Sequence, residues 1–419
     1  MSGPLIGCVA DDFTGATDLA GLLARSGMRV VQCFGIPADP ELVAGYDAIV
    51  VALKTRSIAA AEACRESCAA AQWLRSIGTT RFFFKYCSTF DSTPQGNIGV
   101  VAEALMELLQ VKQTIFCPAF PENGRTVYCG HLFVGDRLLN ESGMQDHPLN
   151  PMTDANLVRF LAAQSSREVG LLGICELTNS SQAIQQSFDQ LPPLVIVDAI
   201  NDSHLSAIAE AVADHTLVTG GSAIAGHIAK LLVARGEISS EPSEDDQPFV
   251  SGPAAVLAGS CSLATQNQVN AFSKQHPMLQ LDVAKAATEN SVLSAAKDWV
   301  FKNIDRGPVL ISTTTDADSL ERIRDQIGRE QAAEVAESLL SELGAFLVQQ
   351  GVERLVVAGG ETSGAVTQRL GVQAIRIGPE IAPGVPWTES LGEPRIALAL
   401  KSGNFGSEHF FQEAIDLSK

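Results

Sequence analysis

The sequence predicts an α/β protein with two domains, each built on a mainly parallel sheet flanked by helices. Short apolar runs alternate with helix-like stretches along most of the 419 residues, which is typical of βαβ units. The length also exceeds what a single core commonly supports. A polar, acidic stretch with two prolines, residues 236–252, has the composition of a linker. We therefore expect domains at residues 1–240 and 253–419.

The first half of the chain supplies the predicted elements of domain 1. Its strand candidates are LIGCVA, MRVVQCF, AIVVAL, RFFFK, LVIVDA and TLVT. Helical patterns lie between them, among them AEACRESCAAAQWL and NIGVVAEALMELLQ. Residues 117–151 differ, because they are rich in Gly, Pro, Asn and short β-like pieces and have no helical period. Such stretches are often functional, and the sequence leaves open whether this one is a substrate lid or a subunit interface.

The second half repeats the alternation and predicts domain 2. AAVLAG, PVLIST and RLVVAGG are strand candidates, followed by the β-rich segments VQAIRI and RIALALKSGNFG. A helix is expected from Leu263, and a long one from Gly328 to Gln350.

The composition of the chain argues against several classes of binding partner. The net charge is -19 and the sequence shows no Lys/Arg cluster, so no nucleic-acid partner is expected. No apolar stretch approaches the ~20 residues of a membrane span, and no signal peptide is evident. Nine cysteines without a C-x-x-C pair predict reduced thiols, and the seven dispersed histidines show no metal signature. We expect a cytoplasmic protein without a metal site of its own.

Charged side chains follow three of the strand candidates in domain 1. Asp11 and Asp12 come after LIGCVA, Arg56 follows AIVVAL, and Lys85 ends RFFFK. Ligands of parallel α/β sheets bind at the carboxyl ends of strands. Carboxylates can accept a proton or hold hydroxyls, and cations can hold a carboxylate, so the set suits a small polyhydroxylated anion. A less specific interpretation is also possible for each part of the set. The Asp pair would then be a helix N-cap, and the cations would be solvated residues at strand ends. Further candidates follow Lys85, namely Ser88, Thr89, Asp91 and Ser92.

Glycine- and serine-rich turns follow three strand candidates in domain 2. They contain Ser260, the Gly359-Gly360-Glu361-Thr362 run, and Gly403. Such turns can present backbone N–H groups to phosphates, although each alone is a common structural turn. The chain contains neither a Walker A motif nor a G-x-G-x-x-G fingerprint after a strand. Together the three turns predict a nucleotide site of another type.

Several motifs, taken in order, resemble the four-carbon acid sugar kinase family from Leu5 to about Phe411. They are ADDFTGATD, KYCSTFDST-x-x-GNIG, PAFPENGRTVYCGHLFV, LLNESGMQDHPLNPMTDANL, GGSAIAG, GSCS, AGGETSGAV and LALKSGNFG. KYCSTFDST and the NESGMQDHPLNPMTDANL segment are most similar to the 3-oxo-tetronate kinases. The K-x-D-S-T-L-R-G form of the threonate and erythronate kinases has an arginine where this chain has Gln95, which argues against simple threonate kinase activity.

The resemblance implies an acid-sugar-binding N-terminal domain, a nucleotide-binding C-terminal domain and an active site in the cleft between them. It implies transfer of the γ-phosphate of ATP to the C4 hydroxyl of 3-oxo-tetronate, or alternatively of threonate or erythronate. The ATP site would comprise Ser260, Gly359, Gly360, Glu361, Thr362 and Gly403. The sugar site would draw on Asp11, Asp12, Arg56, Lys85 and Asp91.

For such a reaction, we expect Asp12 to accept the proton of the C4 hydroxyl, with Asp91 as the alternative. Lys85 would neutralise the substrate carboxylate or the moving phosphoryl group, and Mg²⁺ would bridge the β and γ oxygens of ATP. Two rival functions remain: a non-kinase sugar-acid enzyme, such as an aldolase or dehydratase, and a non-catalytic sugar-acid sensor. A homodimer is one of the oligomeric states that the sequence leaves open.

Overall fold

A computed structural model describes residues 3–146, 150–178, 181–238 and 251–417. The chain divides into two compact units, Met1–Pro242 and Ser243–Lys419. Each unit has a mainly parallel sheet flanked by helices, so the predicted fold class is confirmed. The predicted linker, residues 236–252, lies largely outside the described residues, and the linker and domain bounds stay predictions.

Unit 1 is built on a fully parallel sheet with the strand order β2-β3-β1-β4-β11-β5-β10-β9. A smaller antiparallel sheet, β6-β7-β8, lies in the segment predicted to be irregular. The strands of unit 1 are β1 (Ile6–Ala10), β2 (Val30–Phe34), β3 (Ala48–Ala52), β4 (Phe82–Lys85), β5 (Thr114–Cys117), β6 (Arg125–Tyr128), β7 (His131–Val134), β8 (Arg137–Leu138), β9 (Val169–Leu172), β10 (Leu194–Val197) and β11 (Leu217–Gly220).

The helices of unit 1 connect the parallel strands, as parallel pairing requires. They are α1 (Phe13–Arg25), α2 (Ala60–Ser76), α3 (Asn97–Leu109), α4 (Leu157–Ala162), α5 (Ser181–Phe188), α6 (Asp202–Val212) and α7 (Ser222–Ala234). Every residue of β1, β3 and β4 is buried, because a parallel sheet is covered on both faces. This burial explains why their sequences are continuous apolar runs without alternation.

Unit 2 has the strand order β13-β14-β12-β15-β18-β17-β16. Its strands are β12 (Ala254–Ala258), β13 (Met278–Gln280), β14 (Val309–Ser312), β15 (Arg354–Ala358), β16 (Ala374–Ala382), β17 (Val385–Leu391) and β18 (Ala397–Lys401). Its helices are α8 (Leu263–Ser273), α9 (Val283–Ala286), α10 (Ser291–Asn303), α11 (Ala317–Ile327), α12 (Arg329–Gln349), α13 (Gly360–Arg369) and α14 (Phe410–Asp416).

One strand of unit 2 departs from the parallel arrangement. β17 runs antiparallel to both β16 and β18. The connection from β16 to β17 is only Pro383 and Gly384, and a connection this short can join antiparallel strands only. Gly384 has a φ of 77°, a value that glycine adopts without steric cost. On β17, the buried Trp387 donates a hydrogen bond from its Nε1 to the carbonyl of Ala414 (2.9 Å), which ties α14 to the sheet.

Candidate functional site

The polar residues predicted from three strand ends of unit 1 lie together. β1 pairs with β3 on one side and with β4 on the other, all parallel. Their carboxyl ends therefore share one edge of the sheet, where Asp11, Asp12, Arg56 and Lys85 follow or end the strands. The adjacency of these residues, expected from the sequence, follows directly from the strand order.

Arg56 is the centre of this cluster. Its Nε and Nη2 donate to the two carboxylate oxygens of Asp11 (2.9 and 2.8 Å), and Nη2 also donates to Asp12 Oδ1 (2.7 Å). Nη1 lies 3.8 Å from Asp91 Oδ2. Burial raises the pKa of the Asp11 carboxyl, and Arg56 counteracts that rise. Burial lowers the pKa of Arg56, but Asp11 and Asp12 outweigh it and leave the value raised. The guanidinium is thus occupied mainly by carboxylates of the protein.

Asp12 fits both interpretations of its position, the helix N-cap and the functional carboxylate. It is the N-cap of α1, where Oδ1 accepts a hydrogen bond from the Gly15 amide (3.0 Å). Its side chain is nevertheless 28% exposed. Within the described residues, Oδ2 accepts no hydrogen bond, so this oxygen is available to a ligand. Asp12 is a cap and a candidate base at once.

Lys85 is buried at the end of β4, with 3% of its surface exposed. Its Nζ donates to the Tyr86 carbonyl (2.9 Å), and within the described residues no second acceptor is hydrogen-bonded to it. Asp18, on α1, is close enough for Lys85 to affect it: burial raises the pKa of Asp18, whereas Lys85 and a hydrogen bond from Ser222 lower it. The ammonium therefore has two N–H donors to offer an anion.

The stretch that follows Lys85 contributes one more carboxylate to the cluster. Thr89 Oγ1 donates to Asp91 Oδ1 (2.5 Å), so both oxygens of this buried aspartate face protein groups. Ser92 Oγ accepts from Gln164 Nε2 (3.0 Å), which gives it a structural partner. Ser88 is half-buried and makes no side-chain hydrogen bond within the described part of the chain. The cavity beside Asp91 has a volume of about 10 Å³, room for about one water.

Asn97, the first residue of α3, fixes the loop that carries Arg56. Its Nδ2 donates to the carbonyls of Thr55 (2.7 Å) and Ile58 (2.9 Å). Gln164 similarly connects the Ser92 hydroxyl to the Gly99 amide. These partners are 39 to 72 positions apart in the sequence, so no local pattern could have identified them.

Unit 2 contains a cavity of about 340 Å³ at the carboxyl ends of its parallel strands, a size typical of small-molecule sites. Five of the six predicted nucleotide-binding residues line it, namely Ser260, Gly359, Gly360, Glu361 and Thr362. Gly403 does not line the cavity but lies against Ser260. β12, β15 and β18 are adjacent, which explains why the three turns converge.

Two glycines of these turns leave no room for a side chain. Gly359 has a φ of 131°. A Cβ added at this position would lie 3.2 Å from the Ser260 amide nitrogen. At Gly403 the added Cβ would lie against the hydroxyls of Ser260 and Ser262. Both positions therefore require glycine for close backbone approach.

The sequence interpretation missed the other wall of the cavity. α9, α11 and α12 supply apolar side chains, α11 and α12 also supply Arg324 and Arg329, and the turn after β14 supplies Thr313 and Thr315. The apolar residues are Val283, Leu320, Ile323, Ala332, Ala333 and Ala336. The amphipathic sequence of α11 would have indicated a helix, but which side of that helix faces a cavity depends on the tertiary fold.

The part of the chain that the structure describes shows neither a metal-ligand cluster nor a membrane-spanning helix. No group of three or more His, Cys, Asp or Glu side chains there is arranged to hold a metal ion. In the same residues, no helix is long and apolar enough to cross a membrane. All nine cysteines are free thiols.

The fold and the two clusters define a two-domain α/β protein with polar binding sites at the strand ends of each unit. Residues 6–228 match a family described as "Sugar-binding N-terminal domain", and residues 255–411 match one described as "Nucleotide-binding C-terminal domain". The chain belongs to the four-carbon acid sugar kinase family.

Relatives and solved structures are similar over nearly the whole chain. A Cupriavidus necator protein named 3-oxo-tetronate kinase is 49% identical over 98% of this chain and 96% of its own. A Burkholderia multivorans protein of the same name is 48% identical over 99% and 97%. Crystal structures from Haemophilus influenzae and Salmonella typhimurium LT2 are each 42% identical, with TM-scores of 0.86 and 0.89. They cover 99% and 98% of this chain, and 100% and 98% of their own chains.

Proposed function

We propose that this protein is an ATP-dependent kinase that phosphorylates the C4 hydroxyl of 3-oxo-tetronate. The observation that carries the proposal is the 48–49% identity, over at least 98% of the chain, to relatives named 3-oxo-tetronate kinase. The two separate sites agree with it, because a kinase needs one site for each substrate. A sugar-acid aldolase or a sensor would need no second, phosphate-binding site.

The sugar acid is assigned to the cluster of unit 1. Lys85 is the better ligand for its carboxylate, because the ammonium has donors to spare whereas Arg56 is engaged by Asp11 and Asp12. Arg56 then serves to orient the side-chain carboxylates of Asp11 and Asp12. This division of roles changes the emphasis of the sequence prediction, in which either cation could hold the substrate.

Asp12 is the preferred general base. Its Oδ2 accepts no hydrogen bond within the described residues, and the side chain is 28% exposed. Asp91 is buried, with Oδ1 bonded to Thr89 and Oδ2 facing Arg56. Proton acceptance requires hydrogen-bond reach to the substrate hydroxyl, which the geometry of Asp12 allows more readily. Asp11, paired by both oxygens to Arg56, is assigned a supporting role in substrate binding.

The nucleotide is assigned to the cavity of unit 2. The Gly360 and Thr362 amides, in the first turn of α13, have no acceptor within the described residues, as expected at a helix N-terminus. Such amides bind phosphate oxygens, and the apolar wall suits a purine ring. Glu361 and Glu337 line the same cavity, which fits a magnesium ion held mostly by phosphates with one or two carboxylates. Bound Mg²⁺ would neutralise charge on the β and γ oxygens.

Phosphoryl transfer requires the hydroxyl oxygen to approach the γ-phosphorus to about 3–3.5 Å. Asp12 would hold the hydroxyl and take its proton as the bond to phosphorus forms and the bond to the ADP oxygen breaks. Lys85 would keep the substrate carboxylate fixed during this step. The active site in a cleft between the domains stays a prediction, as do the cytoplasmic location and the homodimer.

The proposal is tested by measuring ADP release from Mg·ATP with 3-oxo-tetronate, threonate and erythronate side by side. We expect release with the oxo acid and at most slow release with the other two. Release with threonate or erythronate instead would retain the kinase and overturn the substrate. Substrate consumption without ADP would favour an aldolase or dehydratase, and binding without any turnover would favour a sensor.

A further inference from the structure

Lys401, the last residue of β18, is a buried cation to which the sites described above assign no role. Only 1% of it is exposed. Its Nζ donates to Thr265 Oγ1 (3.2 Å) and to the carbonyls of Ser402 and Gly403 (both 3.0 Å). All three acceptors are neutral, and among the described residues no carboxylate forms an ion pair with it. Burying a charge without a counter-charge is costly, so a specific role for this ammonium is expected.

The position of Lys401 connects the turns of the predicted nucleotide site. Its own carbonyl accepts a hydrogen bond from the Gly359 amide (2.9 Å). Its ammonium shares the Gly403 carbonyl with Ser262 Oγ (2.7 Å) and Thr265 Oγ1 (2.9 Å). One residue thus fixes a cavity-lining turn through its main chain and the Gly403 turn through its side chain.

The hydrogen bonds at Gly403 determine which of its groups remain available. Three donors converge on its carbonyl oxygen, so that oxygen has no capacity left for a ligand. Within the described part of the chain, the amides of Gly403 and Asn404 donate no hydrogen bond. Phosphate oxygens are acceptors, so this turn has the unused donors that a phosphate needs.

We propose that Lys401 is a positioning residue of the nucleotide site, which holds the Gly403 turn against the Ser260–Ser262 turn and supplies positive charge to the nucleotide phosphates. The inference rests on the proposed kinase function, since that function assigns a nucleotide to unit 2. In the free protein the Lys401 ammonium has only neutral hydrogen-bond acceptors. When the nucleotide is bound, its phosphates provide the negative charge that balances this ammonium. Burial lowers the pKa of Lys401 to about 8, as expected for a buried ammonium that has no negatively charged partner in the free protein.

The decisive variant is Lys401→Met, which retains the length of the side chain and removes its charge and donors. We expect calorimetry to show that this variant binds Mg·ADP at least about tenfold more weakly than the wild type. This is the scale expected when one partner of a buried charge interaction is lost. The KM for ATP should rise equally, whereas the KM for the sugar acid should stay within about twofold, because Lys401 lies in unit 2. Lys274→Met, at the exposed end of α8, is the matched control and should change neither.

Unchanged Mg·ADP affinity in a folded Lys401→Met variant would overturn the inference. Lys401→Gln retains an N–H donor without the charge and should also bind weakly, so wild-type affinity in this variant would overturn the electrostatic role. If Lys401→Met does not fold, Thr265→Val removes one hydroxyl that contacts both Lys401 and Gly403. The expected loss is then about threefold or more in Mg·ADP affinity, and no loss would count against the positioning role.

These binding measurements separate the inference from the proposed function. A wild-type protein that binds Mg·ADP but phosphorylates none of the sugar acids would contradict the kinase proposal, while the Lys401 variants would still decide the inference. A wild-type protein that binds no nucleotide would overturn both.

Discussion

Replacing Arg56 by Met tests the account of unit 1 most stringently, because the substitution leaves three carboxylates without their shared cation. Arg56 makes two hydrogen bonds to Asp11 and one to Asp12. Breaking a buried ion pair from one side typically costs 3–5 kcal/mol. The side chain of Asp11 is 5% exposed, whereas those of Arg56 and Asp12 are 20% and 28% exposed. Partial hydration places the expected loss near the low end, about 3 kcal/mol.

The loss of stability in Arg56→Met should depend on pH with a defined sign. Burial raises the pKa of Asp11 and Arg56 opposes it, so removal of Arg56 raises that pKa further. In the unfolded chain the pKa is ~3.9. A folded-state value above this means that the folded protein binds more protons, so the stability of the variant falls as pH rises through the raised pKa. The deficit relative to wild type should therefore be smaller at pH 5 than at pH 8.

The assay is urea unfolding at both pH values, followed by hydrogen exchange in peptides from β1 and β3, which report on unit 1 alone. Arg56→Met with Asp11→Asn should recover part of the loss, because no buried charge then remains unpaired at position 11. Arg65→Met removes an exposed pair with Glu62 and should have little effect. A deficit below about 1 kcal/mol at pH 8, or one that grows toward acid pH, would show that Arg56 does not stabilise the buried Asp11 carboxylate.

Three further predictions concern single side chains. Asp12→Asn should lower kcat by about 10²-fold or more without changing Mg·ADP affinity, since Asn still caps α1; near-normal steady-state turnover would exclude Asp12 as the base. Gly403→Ala should raise the KM for ATP about tenfold, because its Cβ would displace the Ser260 and Ser262 hydroxyls, and an unchanged KM would show that the turn is not part of the site. Asn97→Ala should destabilise unit 1 by about 2 kcal/mol, since the buried bond to the Thr55 carbonyl and the partly buried bond to the Ile58 carbonyl are both lost. Wild-type protection of β3 in hydrogen exchange would contradict this.

The sequence predicted the parts of the fold that depend on local pattern. The apolar runs that became β1, β3 and β4 are recognisable because parallel strands are buried on both faces. Residues at the ends of such strands gather at one edge of a sheet, so the proximity of Asp12, Arg56 and Lys85 was also within reach of prediction.

What the sequence did not reveal depends on long-range packing. Arg56 was expected to hold the substrate, and its engagement with Asp11 and Asp12 depends on the exact geometry of two loops. The cavity wall from α11 and α12 and the bonds of Lys401 to Thr265 likewise join positions far apart in the chain. No local periodicity encodes such contacts, because the same helix pattern is compatible with many neighbours.

Phosphorylation of the C4 hydroxyl of 3-oxo-tetronate can be identified by ³¹P NMR of the product formed with Mg·ATP. C4 of this acid is a CH₂ group, whereas its other hydroxyl is on a CH carbon. We predict a phosphate monoester whose signal is split into a triplet by its coupling to the two C4 protons, together with ADP. A doublet, or the absence of any ester while ATP is consumed, would contradict it.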